Sequence, residues 1–417
     1  MNSRDKSVSR RRFVQQASGV AALSLALNEQ TLAQQQASSP KVVGANDRIR
    51  FGAIGVGGRT RDLMRQLKTL PGTEMVAICD VYEPRLLQAA EMAGPGAAQH
   101  RNYKALLDDK TIDAVLIGSP DHWHKQMTID AVRAGKDVYV EKPLTHSIEE
   151  GVEIVKVVEA SRSVVQTGTQ QRSWEHFIQG KEIIDSGKLG QITFVHTYWY
   201  QNYIPRVPPK NFQPDKLDWK QFLGSAPGQA LTSDKYHLWR WYWDFGGGAL
   251  TDLMTHWIDV IQWYMGTPAP LAVQSVGALH ALKWECPDTV TCVLEYPKNY
   301  TVTYTGSMTS RIDDGGIEFR GTEATLKINR QQLAVYPESS KNIPGTLAPE
   351  PETVIPTKED GTIPHLRNFL ECIRSRVQPT ANVRVAHEAA RASHLGNIAL
   401  RKGRKVKWNA QQERVES

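Results

Sequence analysis

Asp252 and His256 are the residues whose spacing most directly suggests acid–base chemistry. They are four residues apart, so a helix through them places both side chains on one face. A carboxylate one turn before an imidazole can orient the ring and stabilise its charged form, and such a histidine can take a hydroxyl proton. This help is worth about 10²–10⁴-fold in rate. The same spacing also suits a helix salt bridge or a pair of metal ligands.

Lys142 is a second candidate, because it stands between Glu141 and Pro143 at the end of a short apolar run. Proline fixes the turn and withdraws a backbone donor, so we expect Lys142 at a strand end that faces a cleft. An ammonium group there could polarise or protonate the oxygen of a group that changes oxidation state. The alternative is a solvated lysine paired with Glu141.

Metal binding is the competing chemistry for two histidines, since His122 and His124 form a His-x-His pair that can bind zinc. No third and fourth ligands stand out on neighbouring elements, and the four cysteines contain no CxxC pair. We therefore predict no metal site. The spacing leaves open whether Cys286 and Cys292 form a disulfide.

A glycine-rich turn follows an apolar strand at 48–55 and precedes a helical pattern. Its sequence, Gly55-Val56-Gly57-Gly58-Arg59-Thr60, is close to G-x-G-x-x-G, with Thr60 at the third glycine position. Glycines in this place permit a tight turn and bring backbone amides close to a pyrophosphate at a helix N-terminus. The turn therefore predicts a dinucleotide site.

Asp80 ends the next strand, 23 residues after Gly57. An acid near this spacing accepts hydrogen bonds from the adenosine ribose hydroxyls and repels a 2′-phosphate. The pattern favours NAD, with NADP possible because Arg59 and Arg85 would suit the phosphorylated form. The alternative role for Asp80 is a cap of the turn at the strand end.

Alternating strands and helices must position these residues. Strands predicted near 114–118, 137–140 and 164–168 alternate with helices at 125–134 and 148–160. This order implies parallel pairing with right-handed crossovers, and ligands at the carboxyl ends of the strands. We predict an α/β chain with a doubly wound Rossmann-type domain over 48–170.

The second half of the chain has a different pattern. Alternating residues predict strands at 192–200, 272–282, 289–296, 300–307 and 323–329. We expect an α+β domain over 171–384 with a large, mainly antiparallel sheet, followed at 385–407 by a helix and strand that pack back on the first domain.

Aromatic residues are concentrated between 198 and 244. Sugar rings have apolar faces that stack on aromatic rings, although core and interface packing should account for most of this group. Tyr236 and Arg240 precede the glycine-rich run 246–248, and we predict that both contact substrate hydroxyls.

Four motifs, in this order along 48–407, resemble the Gfo/Idh/MocA family of oxidoreductases. They are the glycine turn, the Pro120…His124 turn, Glu141-Lys142-Pro143, and the run from Gly246 to His256 that contains Asp252. The resemblance implies an NAD(P)-dependent enzyme, with Lys142, Asp252 and His256 catalytic. The implied cofactor residues are Gly55, Gly57, Gly58, Arg59, Asp80, Ser119, Pro120, His124, Glu141, Lys142 and Gln170, and the implied substrate residues are Arg172, Tyr236, Arg240, Asp252 and His256.

The expected activity is hydride transfer between the nicotinamide and a secondary hydroxyl of a sugar, polyol or glycoside. Two alternatives stay open. One is a redox-neutral NAD-dependent glycosidase that oxidises its substrate transiently, and the other is a non-catalytic NAD- or sugar-binding protein. The family resemblance also implies a homo-oligomer.

The first residues resemble a twin-arginine export signal. Ser9-Arg10-Arg11-Arg12-Phe13 precedes a short apolar segment and a small-residue cleavage site, which predicts a signal peptide over 1–33, a linker over 34–47 and a periplasmic protein. The apolar stretch is too short to span a membrane, so we predict no membrane segment in the mature chain. Half of the net charge of +6 lies in residues 1–33, and no dense basic run occurs before 401–407, which argues against nucleic acid as a partner.

Overall fold

The computed structural model describes residues 48–204, 209, 211–338 and 349–416. The predicted signal peptide and linker, 1–33 and 34–47, lie outside the described residues. Among the described residues, no helix is both long and apolar enough to cross a membrane.

The first sheet is parallel and has the strand order β3-β2-β1-β4-β5-β6 within the described residues. Central strand β1 pairs with β2 on one side and β4 on the other, so the strand order reverses at this point, where doubly wound sheets bind ligands. The predicted Rossmann-type fold is confirmed. The strands are β1 (Ile49–Ile54), β2 (Thr73–Cys79), β3 (Ala98–His100), β4 (Ala114–Ile117), β5 (Asp137–Val140) and β6 (Val165–Thr167).

Helices connect these strands. They are α1 (Gly58–Leu67), α2 (Glu83–Ala93), α3 (Tyr103–Asp108), α4 (Asp121–Arg133) and α5 (Ile148–Glu159). Helix α4 begins four residues earlier than the predicted 125, because Pro120 already holds the extended conformation of an N-cap residue (φ −60°, ψ 155°). The early start places Asp121 at the carboxyl end of β4.

The second sheet is mainly antiparallel, as predicted, with one parallel pair between β7 and β10. Its described strands are β7 (Ile192–Tyr200), β8 (Ala272–Ala278), β9 (Thr289–Tyr296), β10 (Tyr300–Ser307), β11 (Gly315–Gly321), β12 (Ala324–Ile328), β13 (Gln332–Pro337), β14 (Thr353–Pro356), β15 (Val406–Asn409) and β16 (Arg414–Val415). Strand β8 ends before the predicted 282 because one oxygen of Asp288 accepts the backbone N–H groups of 280–282, which turns the chain out of the sheet.

The remaining helices cover this sheet or return to the first domain. They are α6 (Glu175–Asp185), α7 (Trp219–Leu223), α8 (Ser233–His237), α9 (Thr255–Met265), α10 (Thr362–Ser375) and α11 (Val383–Lys402). Helix α11 contacts α5 of the first domain and both α9 and β8 of the second. Cys286 and Cys292 are both buried in the second domain, and they do not form a disulfide with each other.

Helix α10 completes the core of the first domain. Its Phe369 is fully buried, with ring centroids 6.4 Å from Phe51 of β1 and 5.8 Å from Tyr139 of β5. Residues near the C-terminus therefore close one face of a sheet built from the N-terminal part of the chain.

We expect Phe369→Ala to lower the free energy of unfolding by about 3–5 kcal/mol, because it removes a buried ring and leaves a cavity between two strands. Urea unfolding followed by circular dichroism measures this change. The control is Val377→Ala, whose side chain is 62% exposed and which should shift stability by less than about 0.5 kcal/mol. Equal stability of the two variants would contradict the role given to α10.

Candidate active site

A cavity of about 500 Å³ lies where the carboxyl ends of β4 and β5 meet the second domain. It brings Lys142 together with Asp252 and His256, which lie more than a hundred residues further along the chain. The other lining residues are Arg59, Gly118, Ser119, Asp121, His124, Glu141, Gln170, Gln201, Tyr203, His237, Leu238, Trp239, Arg240, Trp241 and Arg330.

The Asp252 carboxylate joins the two domains. Lys142 Nζ donates to Asp252 Oδ1 at 2.7 Å and to the Asp252 carbonyl oxygen at 2.5 Å. Arg240 Nε donates to the same Oδ1 at 3.1 Å. Burial alone would raise the pKa of Asp252, but the two cations outweigh it and lower the pKa below its ordinary value. Asp252 is therefore ionised, and it holds the ammonium of Lys142 at the cavity wall.

His256 does not pair with Asp252, so the predicted stabilisation of a charged imidazole is wrong. Burial lowers the pKa of His256 well below its ordinary 6.5, and the charges of Lys142, Arg330 and Arg59 lower it further. The ring stacks on Trp199 at 5.7 Å, and its Nδ1 is buried with no hydrogen-bond partner among the described residues. His256 is therefore neutral at neutral pH.

The local backbone explains the separation of these two side chains. Leu250–Met254 is a π-helix that runs directly into α9. In a π turn the hydrogen bonds join residues five apart, so residues four apart no longer stack as they do in an α-helix. The turn starts beside Gly248, whose φ is +63° and where an added Cβ would lie 2.6 Å from the Cβ of Cys286. A glycine at position 248 therefore allows the backbone to pack closely against Cys286.

His124 links the two turns that carry the cofactor-side residues. Its Nδ1 faces the Pro143 carbonyl oxygen at 2.7 Å, and its Nε2 faces the Ser119 carbonyl oxygen at 2.9 Å. His122 Nε2 faces the carbonyl of Phe222 at 2.9 Å. Ring nitrogens of both histidines thus contact backbone carbonyl oxygens. Among the described residues, no group of three His, Cys, Asp or Glu side chains is placed to bind a metal.

A second, smaller cavity of about 70 Å³ shares Gly118 and Ser119 with the first and is the candidate dinucleotide cradle. The carboxylate of Asp80 is buried at the end of β2 and accepts a hydrogen bond from Tyr82 N at 2.8 Å. Gly55 has φ +73°, and a Cβ there would lie 2.7 Å from Ser119 N. Ser119 Oγ is buried with no partner among the described residues. Such a polar, close-packed turn fits the pyrophosphate and ribose of NAD.

Arg59 faces the large cavity. Its Nε donates to Glu141 Oε1 at 2.9 Å. With its amide oriented to satisfy both neighbours, Gln170 accepts from Arg59 Nη2 and donates to the Gly168 carbonyl, both at 2.7 Å. Because the Arg59 guanidinium is bound to Glu141 and Gln170, it is not available to a 2′-phosphate beside Asp80.

The structure places two of the predicted substrate contacts, Arg172 and Tyr236, outside the lining of the large cavity. Arg172 Nε donates to both carboxylate oxygens of buried Asp259 at 2.9 Å, and Arg172 does not line the cavity. Tyr236 lines the cradle instead, with the Arg85 guanidinium 4.6 Å from its ring centroid. Arg172 is instead bound by a buried carboxylate, and Tyr236 packs in an aromatic cluster.

Two charged residues that line the large cavity, Asp121 and Arg330, were not predicted as site residues, and neither was the neighbouring Trp199. Asp121 is buried at the start of α4, and burial together with the charge of Asp252 raises its pKa well above the ordinary value. Trp199 stacks on His256. Arg330, in the turn between β12 and β13, sits 4.9 Å above the Trp199 ring. An arginine in a hairpin turn carries no sequence signal of burial.

The fold and the two cavities define a two-domain protein with a candidate dinucleotide site at the switch point of its first sheet. Residues 49–169 match the Gfo/Idh/MocA oxidoreductase family model for the NAD-binding Rossmann fold, and residues 177–327 match the family's C-terminal domain. Together these matches cover well over half of the 417 residues. The chain belongs to the Gfo/Idh/MocA family, and its first domain is that family's NAD-binding domain.

Relatives cover parts of this chain. Inositol 2-dehydrogenase 2 of Saccharopolyspora erythraea is 33% identical over 163 residues, which are 38% of this chain and 48% of the relative. An alpha-N-acetylgalactosaminidase of Shewanella oneidensis is 31% identical over 173 residues, 37% of this chain and 38% of the relative. The chain thus spans about half the length, or less, of these curated relatives.

Solved structures extend the likeness in fold to nearly the whole described chain. A levoglucosan dehydrogenase in complex with NADH superposes with a TM-score of 0.70 at 18% identity, covering 86% of this chain and 99% of that one. The aldose–aldose oxidoreductase of Caulobacter crescentus gives 0.68 at 18% identity, with the same coverage. Both share the two-domain fold.

We expect Gly55→Ala to weaken NADH binding about tenfold or more, since its Cβ would press on Ser119 N and its φ is strained for alanine. Isothermal titration calorimetry measures the affinity. Gly94→Ala is the matched control, because Gly94 also has a positive φ (+98°) but open space around it. Backbone strain alone would affect both variants in stability, whereas only Gly55→Ala should lose NADH. Unchanged NADH affinity in Gly55→Ala would refute the placement of the cradle.

Proposed function

We propose that this protein is an NAD-dependent oxidoreductase that acts on a secondary hydroxyl of a sugar, polyol or glycoside. The observation that carries the proposal is the meeting of Lys142, Asp252 and His256 in a cavity that adjoins the dinucleotide cradle. The similarity to inositol 2-dehydrogenases supports a polyhydroxylated substrate.

NAD, when bound, supplies an acceptor for the hydride of the alcohol carbon. The chain's own residues then manage the proton and the oxygen. His256 lines the cavity as a neutral imidazole, so its ring can accept the hydroxyl proton. Lys142 is fixed by Asp252, which leaves its ammonium at the cavity wall to stabilise the oxygen as the carbonyl forms.

The aromatic side chains of the cavity suit the apolar faces of a sugar ring. Trp239 and Trp241 line the cavity, and the Arg240 guanidinium lies 4.2 Å from the ring centroid of Trp239. Arg240 in turn holds Asp252. A polyhydroxylated ring lying against Trp239 would place its hydroxyls toward Arg240 and Lys142.

A redox-neutral glycosidase is the second candidate, favoured by the 31% identity to an alpha-N-acetylgalactosaminidase and to a glycosyl hydrolase family 109 protein. Such an enzyme needs the same hydride acceptor and base, and it returns the hydride within one cycle. The two candidates differ in whether the redox state of the nicotinamide changes after a complete turnover.

We also propose that the protein is exported by the twin-arginine route and acts in the periplasm as a homo-oligomer. The Ser9–Phe13 motif supports export. A half-buried aromatic ladder on β7, in which His196 stacks on Tyr198 and Tyr198 on Tyr200, supports a subunit contact through the sheet face. Finding the protein in the cytoplasmic fraction, or a monomer by light scattering, would refute the corresponding part.

The proposed function predicts that sugars change the redox state of bound nicotinamide. The exported protein, loaded with NAD, is titrated with sugars, polyols and glycosides while absorbance of the reduced nicotinamide is followed. Net reduction that a second carbonyl substrate reverses supports the oxidoreductase. Release of an aglycone with no net redox change supports the glycosidase, and absence of both would refute enzymatic activity.

We expect His256→Gln to lower kcat by about 10²–10⁴-fold, because the base is lost, while NADH affinity is unchanged. In the native protein, kcat should stay level as the pH falls through 6.5 and decline only in more acidic solution, since the pKa of His256 lies well below that value. Stopped-flow rates across pH measure both effects. His280→Gln, at an exposed position, is the control. A decline centred near 6.5 would contradict the neutral-base assignment.

A further inference from the structure

Arg330 lines the large cavity and, among the described residues, has no acidic partner. The other cations have acidic partners: Lys142 and Arg240 share Asp252, and Arg59 binds Glu141. Arg330 forms no ion pair or hydrogen bond with any described residue, and its Nε is buried without a partner.

The position of Arg330 is held by aromatic rings. Its guanidinium carbon lies 4.9 Å from the ring centroid of Trp199 and 5.9 Å from that of Trp257. Trp199 also stacks on His256, so the guanidinium and the catalytic imidazole contact the same indole. This geometry presents a pre-oriented fork of donors beside the reacting position.

The charge of Arg330 is retained in spite of its surroundings. Burial, together with the nearby charge of Arg59, lowers its pKa to about 10, which still leaves it protonated at neutral pH. Asp360, Asp314 and Glu141 act on it only from beyond ion-pair distance. A partly buried cation with no acidic partner among the described residues is costly, and an anion from a ligand would reduce that cost.

We propose that Arg330 binds a carboxylate of the substrate, so that the natural substrate is an acidic sugar such as an aldonic or uronic acid. This inference rests on the proposed function, since it names the substrate class of the same cavity. A planar guanidinium matches a carboxylate with two parallel hydrogen bonds.

The dinucleotide is the other source of anionic oxygens, and the geometry argues against it. Gly55, Gly57 and Asp80 line the small cavity, where the pyrophosphate and ribose belong. Arg330 lines the large cavity, as His256 does, and it does not line the small cavity. The carboxylate of a substrate held against His256 is therefore the closer anion.

Binding experiments on the NADH-loaded protein test this proposal without turnover. The probes are D-glucuronate, D-galacturonate and D-gluconate, each compared with its neutral counterpart, D-glucose, D-galactose or D-glucitol, by quenching of nicotinamide fluorescence. We expect at least one acid to bind about tenfold or more tightly than its neutral counterpart, and added salt to reduce the difference.

Arg330→Gln should abolish the preference for the acid, and Arg330→Lys should retain part of it, while NADH affinity and thermal stability remain those of the native protein. Arg374→Gln, at an exposed position of α10, is the matched control. Loss of NADH affinity in Arg330→Gln would assign the guanidinium to the pyrophosphate and overturn the proposal.

Equal binding of acids and neutral sugars, or no binding of any acid at millimolar concentration, would also overturn it. Binding is scored apart from catalysis, so the two proposals can fail separately. An acid that binds through Arg330 but never changes the redox state of the nicotinamide would contradict the oxidoreductase function and leave the carboxylate site standing.

Discussion

The shared carboxylate of Asp252 is the interaction on which the site depends. It binds a lysine from the first domain and an arginine from the second, with the carboxylate buried between them. Removing one partner of a buried ion pair costs about 3–5 kcal/mol, because a charge is left without compensation. The same contact that aligns the domains therefore also fixes the ammonium at the cavity wall. Because Asp252 is engaged by these two cations, His256 has no acidic partner among the described residues to offset the burial and the neighbouring positive charges that keep the imidazole neutral.

The fold was largely predictable because buried parallel strands and a glycine turn leave strong marks in a sequence. Strands β4 and β5 are continuous apolar runs, and the turn after β1 needs a left-handed residue at Gly55. Strand β11 was not predicted, because it begins with Gly315 and Gly316 and ends with Gly321, and glycines are typical of loops. Short strand β14 carries exposed alternate residues that no local pattern distinguishes from a turn.

The site was predictable where a residue's role depends on its place at the end of an element. Lys142 and Asp80 follow strands, so the topology of the sheet brings them to one edge. Roles that depend on partners distant in sequence were not predictable. Arg172 finds Asp259, and Arg330 comes from a hairpin turn, contacts that arise only when the second sheet is assembled. The π turn before α9 is similar, since the residue pattern there fits an ordinary helix.

The return of α10 to the first domain has a consequence for synthesis of the chain. Strands β1 and β5 emerge from the ribosome early, but the helix that covers one of their faces is made more than two hundred residues later. Until then the apolar surface around Phe51 and Tyr139 is open to water and to chaperones. The first domain thus reaches its native core only when translation is nearly complete, so a truncated product would expose that surface for degradation.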